Sequence, residues 1–366
     1  MILLLPAVFL LSCAPYGVKS TFPSAIDALF LDYNQPHSPG ASVAIIKDGK
    51  VLSSRAYGFA NLEDREVATT ATNYRLASVT KQFTAMAILI LADRGALSLD
   101  SRLTDVLPGA PFYTHNMRVR HLLNHTSGIV DYESLIPDTQ TVQVLDNDVL
   151  ALLCKIDSTY FPAGSKYQYS NSGYALLALI VESVTKQSFA EFLKKNIFEP
   201  LGMDYTVAYE RGFSTVANRA YGYSRTDSGF ARTDQSTTSA VLGDGGIYSS
   251  VDDLFKWDQA LYTERLVRAS VLQQAFTPAV LNDGTRTTYG FGWNIEPYRN
   301  LPSLFHSGST QGFRNAILRF PRQRFTIIIL TNRNEGNPIE IARKIADLVL
   351  FEREQENGSP VITGSP

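Results

Sequence analysis

Two strand-pair patterns, one near each end of the chain, constrain the fold more than any other feature of the sequence. Near the N-terminus, residues 41–46 and 51–54 flank the Asp-Gly pair at 48–49, which is favoured in two-residue type I′ turns. Near the C-terminus, residues 315–320 and 325–331 flank a short Pro-Arg-Gln-Arg connection. The sequence therefore predicts antiparallel sheet contributed by both ends of the chain.

A buried position is predicted for the last of these strands. Its run Ile-Ile-Ile-Leu at residues 327–330 is apolar on both faces, which indicates a central strand covered on both sides. After it, Asn337 and Pro338 are typical of a helix start, and Ile341 and Ile345 follow with helical spacing. We expect this helix to flank the sheet.

The middle of the chain differs, because helical patterns and loops dominate between residues 95 and 245. We therefore predict an α+β fold, with an antiparallel sheet domain made from residues 19–94 and 246–354 and flanked by terminal helices. Residues 95–245 are predicted to form an inserted, mainly helical domain, and the cleft between the two is a natural place for a site. Residues 1–18 are expected to be a leader, and residues 355–366, rich in Gly, Pro and Ser, a disordered tail.

Composition narrows the choice of partners. The chain has 366 residues, of which 45% are hydrophobic, enough for a large core. Its formal net charge is -2, so we expect neither nucleic acid nor an anionic membrane surface as the main partner. The two cysteines, Cys13 and Cys154, cannot make a disulfide framework, and Cys154 is expected to pack inside a buried helix face.

The N-terminal leader, residues 1–11, is strongly apolar but reaches only about half of the ~30 Å that a membrane span requires. It is therefore predicted to be a targeting segment. The run Leu-Leu-Ser-Cys ending at Cys13 resembles the bacterial lipoprotein signal, which implies a lipidated Cys13 and an exported, membrane-anchored protein in the periplasm or at the cell surface. No Lys or Arg precedes the apolar stretch, so a plain secretory signal and a misassigned start stay open.

The strongest chemical signal is Ser78-Val79-Thr80-Lys81, which opens an apolar helical pattern. Residues three apart share a helix face, so the Lys81 amine can reach the Ser78 hydroxyl and take the proton that a serine nucleophile must lose. Backbone donors at the helix start are free to bind a developing oxyanion. Because S-x-x-K is common, a capping serine beside a solvated lysine is the alternative reading of this motif alone.

A second motif, Tyr169-Ser170-Asn171, directly precedes another helical pattern. A phenol can relay protons, and an amide can hold a substrate carbonyl. Taken alone, the motif fits equally a surface tyrosine beside an N-cap.

The third motif is His306-Ser307-Gly308-Ser309, on a strand expected at the sheet edge. Gly308 would allow close approach of a ligand, and the free N–H of Ser309 could join an oxyanion hole. His306 would supply a hydrogen bond or a charge near the leaving group or a substrate carboxylate. Its imidazole is expected to titrate near neutral pH, and if its charged form binds an anionic substrate, activity on carboxylate substrates should fall above about pH 7. A histidine at a strand end beside a glycine turn is the alternative.

In this order and spacing, the three motifs resemble the class C β-lactamase superfamily, which includes D-alanyl-D-alanine peptidases, D-amino-acid peptidases and β-lactamase-like esterases. The resemblance covers about residues 22–350 and extends to further stretches at 121–128, 161–164, 200–203 and 243–250. It implies the following roles: Ser78 as nucleophile, Lys81 as general base, Tyr169 as proton relay, Asn171 as substrate-amide contact, and the N–H groups of Ser78 and Ser309 as oxyanion hole, with Gly308 permitting approach.

The resemblance implies a serine hydrolase that works through a covalent acyl-enzyme. His306-Ser307-Gly308 stands where class C β-lactamases usually have Lys-Thr-Gly, so we expect small esters or D-amino-acid peptides to be better acyl donors than β-lactams. A D,D-carboxypeptidase, a β-lactamase and a catalytically silent, surface-anchored binding protein remain alternatives. We expect no cofactor and no metal site, because His121 and His125, although four residues apart, have no acidic third ligand beside them.

Overall fold

The computed structural model describes residues 22–351. The leader with Cys13 and the tail at 355–366 lie outside the described residues. Within the described part of the chain, no helix is both long enough and apolar enough to cross a membrane.

The described residues form the strands β1 (Ala41–Lys47), β2 (Lys50–Tyr57), β3 (Phe59–Asn61), β4 (Glu66–Val67), β5 (Tyr74–Arg75), β6 (Val207–Ala208), β7 (Tyr223–Thr226), β8 (Gly229–Arg232), β9 (Ile247–Ser249), β10 (Asn294–Ile295), β11 (Leu304–Thr310), β12 (Phe313–Phe320) and β13 (Phe325–Thr331). The α-helices are α1 (Phe22–Leu29), α2 (Lys81–Asp93), α3 (Leu103–Val106), α4 (Val119–Leu123), α5 (Asp146–Leu153), α6 (Asn171–Thr185), α7 (Phe189–Leu193), α8 (Glu199–Leu201), α9 (Leu242–Gly245), α10 (Val251–Ala260), α11 (Ala269–Ala275) and α12 (Pro338–Ala346). Short 3-10 turns lie at Ala77–Thr80, Phe112–Thr114, Tyr132–Leu135 and Pro321–Gln323, and π-helical turns at Lys194–Phe198 and Asp347–Phe351.

The main sheet has six strands in the order β10-β11-β12-β13-β1-β2, and every neighbouring pair is antiparallel. It is built from both ends of the chain, because β1 pairs with β13 in the register Val43 opposite Ile329. At the β1–β2 turn, Asp48 and Gly49 have φ angles of 52° and 76°, the positive values that a type I′ turn requires. Both predicted strand pairs and the predicted α+β fold are thus confirmed.

Strand β13 is covered on both faces, as its apolar run predicted. Ile327 and Ile329 pack with residues of α1 and α12 in one hydrophobic core. Ile328 and Leu330 point to the opposite face and join the larger core that contains α2, α6 and α10. Alternation along the strand explains this division, since successive side chains point to opposite faces.

The expectation for Cys154 is wrong. Val149 and Leu153 fill the buried face of α5, while Cys154 follows the helix as its C-terminal cap and is exposed. One step along a helix rotates the side chain by about 100°, so the residue after a buried Leu153 reaches solvent.

A buried ion pair joins the sheet to α10. The Arg319 guanidinium on β12 donates to the Asp258 carboxylate at 2.6 Å, and both side chains are 1% exposed. Thr326 donates to the same carboxylate oxygen at 2.8 Å. The arginine charge is therefore compensated only while Asp258 is present.

We predict that Asp258→Ala lowers the free energy of unfolding by about 3–5 kcal/mol, because it leaves a buried charge without a partner. Glu340→Ala removes the partly exposed pair with Arg343 and serves as control, with an expected loss of no more than about 1 kcal/mol. Urea unfolding of both variants measures the two losses. Equal, small losses would contradict a structural role for the buried pair.

Candidate active site

Ser78 lies in the 3-10 turn Ala77–Thr80, which leads directly into α2. Ala77 has a φ of 50°, a left-handed conformation that costs a residue with a side chain roughly 1–2 kcal/mol. A hydrogen bond to β9 holds the residue before the turn, because the Leu76 N–H donates to the Ile247 carbonyl at 2.8 Å. Ser78 is half-buried and lines a small pocket of about 40 Å³.

Lys81 is fully buried as the first residue of α2. Its Nζ lies 3.1 Å from Ser78 Oγ, 2.8 Å from Asn171 Oδ1 and 2.9 Å from the Asp244 carbonyl oxygen. Three acceptors match the three hydrogens of an ammonium group. When the amine is neutral, Nζ can instead accept the proton of Ser78 Oγ, the atom that it already contacts.

Asn171 begins α6 and is held from two sides. Its N–H donates to Asp131 Oδ2 at 2.7 Å, and its Nδ2 donates to Glu133 Oε1 at 3.0 Å. With Oδ1 facing Lys81, the amide bridges an amine and a carboxyl group. Asn171 also lines the Ser78 pocket, which is compatible with the predicted substrate contact.

Tyr169 lies beside Lys81 but is not bonded to it. The Lys81 Nζ is 5.0 Å from the centroid of the Tyr169 ring. The Tyr169 hydroxyl is buried and makes no hydrogen bond with any of the described residues. The structure thus brings Tyr169 to the site, and its proton-relay role stays a prediction.

Gly308 is needed for packing of the strand against the serine turn. A Cβ atom at this position would lie 2.1 Å from the Leu76 carbonyl oxygen, so only glycine lets β11 approach. Strand β10 pairs with β11 only at Leu304 and Phe305, so the expected edge position is wrong for the start of β11, and among the described residues no strand pairs with residues 306–309 on that side. Ser309, farther along β11, lines the same pocket as Ser78, and the role of the two N–H groups as oxyanion hole stays a prediction.

His306 departs from its predicted state. Its side chain is 3% exposed, with Nε2 2.9 Å from the Tyr289 hydroxyl and Nδ1 2.7 Å from the Ser307 carbonyl oxygen. Burial, and then the nearby Lys81 charge, lower the His306 pKa to about 3. The expectation that His306 titrates near neutral pH is therefore wrong, because burial desolvates the imidazole; its substrate-binding role stays a prediction.

Two carboxyl groups in the pocket wall had not been singled out from the sequence. Asp244 is 7% exposed and accepts a hydrogen bond from the Tyr132 hydroxyl at 2.9 Å, and burial raises its pKa to about 6. Burial and the neighbouring Asp131 also raise the pKa of Glu133. An acidic residue inside Gly243-Asp244-Gly245-Gly246 was the available signal for Asp244, whereas no motif marks Glu133.

The two spaced histidines make separate backbone contacts. His121 Nδ1 accepts the Arg118 N–H, and His125 Nδ1 accepts the Ser170 N–H, each at 3.2 Å. Among residues 22–351, no three His, Cys, Asp or Glu side chains cluster closely enough to hold a metal ion. Clefts of about 550 Å³ lie elsewhere, at residues 188–217 and 273–322, and contain none of the predicted site residues.

Comparison with known proteins defines the class as serine hydrolase. A family model described as Beta-lactamase matches residues 26–350, and the chain belongs to this family. Penicillin-binding protein 4* of Bacillus subtilis is 33% identical over 345 residues, covering 89% of this chain and 75% of the relative. A D-aminopeptidase of Brucella anthropi is 29% identical over 348 residues, covering 89% of this chain and 62% of the relative.

Solved structures agree with this fold. A penicillin-binding protein homologue from Pyrococcus abyssi superposes with a TM-score of 0.77 at 28% identity, over 90% of this chain and 76% of the other. A D-amino acid amidase from Ochrobactrum anthropi SV3 has a TM-score of 0.75 over 92% and 99% of the two chains. At 22% identity the amidase supports the fold alone. The chain spans about three fifths of the length of several curated relatives.

The lowered His306 pKa predicts an acid-sensitive stability. Between about pH 6.5 and 3 the unfolded chain binds a proton at this residue that the folded protein excludes, so the free energy of unfolding falls as pH falls. From pH 7 to 5, His306 should account for a loss of up to about 2 kcal/mol. Urea unfolding at both pH values should show a smaller loss in His306→Asn. Identical pH dependence in the two proteins would contradict the buried, neutral state.

Proposed function

We propose that the protein hydrolyses small esters and D-amino-acid amides or peptides through an acyl-enzyme on Ser78. The observation that carries the proposal is the 3.1 Å contact between Lys81 Nζ and Ser78 Oγ, in a site where the amine is fully buried and its other contacts go to Asn171 and Asp244. Such a contact supplies the base that a serine nucleophile requires.

Acylation would begin with transfer of the Ser78 proton to neutral Lys81 while Oγ attacks the acyl carbon. The carbonyl oxygen then becomes an oxyanion, which the N–H groups of Ser78 and Ser309 would bind. Collapse breaks the bond to the leaving alcohol or amine, which takes a proton from Lys81, directly or through Tyr169. Water reverses these steps on the Ser78 ester, releasing the acid and the free serine.

The charges around the pocket favour a substrate with a free ammonium group. Glu133 and Asp244 line the pocket, and Glu133 keeps exposed surface at its mouth. Arg75 lines it too and keeps its positive charge, because its buried guanidinium donates to the neutral carbonyls of Ser239 and Gly245; the exposed charge at the mouth is that of Glu133. An ammonium group beside the scissile bond would be attracted to the exposed Glu133 carboxylate, and a substrate carboxylate would be repelled by it.

The same argument ranks the alternatives. β-Lactams and D,D-carboxypeptidase substrates bring a carboxylate to the site, and His306 has no positive charge at neutral pH to receive it. The relatives named as D-aminopeptidases support the ranking by analogy. A silent binding protein would have no need of a buried lysine directed at a serine hydroxyl.

We predict that D-alanine p-nitroanilide is cleaved with a kcat/KM at least about tenfold above its N-acetylated form, equivalent to about 1.4 kcal/mol of charge recognition. Glu133→Gln should reduce this ratio severalfold. The matched control Glu191→Gln removes an exposed carboxylate that pairs with Lys195 and lies in α7, and should not change the ratio.

The neutral ester p-nitrophenyl butyrate reports on the chemical step in each variant, so damage to catalysis is separated from loss of amine recognition. Ser78→Ala should abolish hydrolysis of every substrate. Nitrocefin turnover faster than turnover of the ester and the free-amine anilide would make the protein a β-lactamase and contradict the proposal.

A further inference from the structure

His125 lies among several tyrosine side chains, two of which, Tyr169 and Tyr174, also lie beside the Lys81 amine. The centroid of its ring is 4.2 Å from that of Tyr169, 4.6 Å from that of Tyr289 and 5.1 Å from that of Tyr174. The side chain is 1% exposed. Its nearest aromatic neighbour in this group is therefore Tyr169, the residue that the proposed mechanism uses for proton transfer.

Two backbone contacts join His125 to the residues on either side of Tyr169. The Ser170 N–H donates to His125 Nδ1 at 3.2 Å, and the Gln168 N–H donates to the His125 carbonyl oxygen at 3.0 Å. Because its ring also packs on Tyr169, His125 contacts three consecutive residues, 168–170. This segment directly precedes α6 and has no regular secondary structure of its own.

The protonation state of the imidazole follows from these contacts. Because Nδ1 accepts a hydrogen bond, the neutral ring carries its proton on Nε2. Burial lowers the His125 pKa well below its ordinary value, and the nearby Lys81 charge acts in the same direction. A neutral ring keeps the acceptor that the Ser170 N–H requires.

The backbone of His125 is itself constrained. Its φ of 60° is left-handed, a conformation that Asn, Asp and His adopt more often than other residues with side chains. The following residues are bonded to the segment that leads to Tyr169, through the Gly164 N–H to the Thr126 carbonyl and the Tyr160 N–H to the Gly128 carbonyl, both at 2.8 Å. These two bonds join the loop that begins at His125 to the stretch of chain that leads to Tyr169.

We propose that His125 is a positioning residue for Tyr169, holding its ring against Lys81 so that the hydroxyl can exchange protons with the reacting groups. The inference rests on the proposed function, because it assigns Tyr169 to proton transfer. Small displacements of a catalytic group are costly, and misplacement by about 1 Å can slow a reaction about 100-fold. Removing the support should therefore lower kcat much more than it changes KM.

His121 provides a matched control in the same part of the chain. It lies in α4, four residues before His125, and its Nδ1 also accepts a backbone N–H, that of Arg118. Within residues 22–351, His121 makes no ring contact with Tyr169 and no hydrogen bond to residues 168–170; its hydrogen bonds go to Arg118 and Thr126. Replacing it removes a comparable contact without affecting the support of Tyr169.

The test is a double-mutant cycle between His125→Gly and Tyr169→Phe, with p-nitrophenyl butyrate as substrate. Glycine accepts the left-handed φ without strain, so the substitution removes the imidazole without adding backbone strain, and it leaves a cavity where the buried ring was. We expect His125→Gly to lower kcat about 10–100-fold in the wild-type background and less than about threefold in the Tyr169→Phe background, because the two residues act as a unit. His121→Gly should change kcat by less than about twofold.

His125→Asn is a second variant, which tests the proposal if His125→Gly does not fold. Asparagine tolerates the left-handed φ, and its Oδ1 can replace Nδ1 as acceptor for the Ser170 N–H, so kcat should be closer to wild type than in His125→Gly. Amide hydrogen exchange at residues 168–170 gives a readout that needs no activity, and it should accelerate in His125→Gly but not in His121→Gly.

Equal fold losses in both backgrounds, a Tyr169→Phe variant as active as wild type, or unchanged exchange at residues 168–170 in His125→Gly would each overturn the positioning role. Hydrolysis that persists in Ser78→Ala would instead contradict the proposed function, and the exchange measurement would still decide whether His125 holds the segment.

Discussion

The candidate site depends on the burial of the Lys81 amine. Taking a lysine side chain out of water is expensive unless its hydrogens find acceptors, and Lys81 has three. Those acceptors come from Ser78 one turn earlier, from Asn171 at the start of α6 and from the Asp244 carbonyl in α9. Three distant parts of the sequence must therefore be in place together before the amine is satisfied, and the same contacts direct it at the serine.

The surrounding structure maintains those three positions. The Asp146 carboxylate accepts the N–H groups of Leu242 and Gly243 and so fixes the segment whose carbonyl faces Lys81. On the other side, the absence of a side chain at Gly308 lets β11 pack against the turn that carries the serine. The sheet and the helices thus meet at the site, and each contributes backbone as well as side chains to it.

The pattern-based predictions were reliable where a local period or a short motif decides the outcome. The apolar run at 327–330 and the S-x-x-K spacing of Ser78 and Lys81 each depend on neighbours in sequence, and each predicted its local structure correctly. The state of His306 could not be predicted, because its pKa depends on burial against Tyr289 and on a charge from a distant helix. The place of Asp244 in the pocket was not predicted for a similar reason, because its contacts with Lys81 and Tyr132 join residues far apart in the sequence.

The central claim is that Ser78 Oγ is the atom that becomes acylated, with Lys81 as its base. The most direct measurement is intact-protein and peptide mass spectrometry after exposure to an alkyl fluorophosphonate, which reacts with activated serines. The account predicts one adduct per chain, located on Ser78, formed by the wild type, absent in Ser78→Ala and formed slowly by Lys81→Ala. An adduct on another residue, or no adduct on a folded wild-type protein, would contradict it.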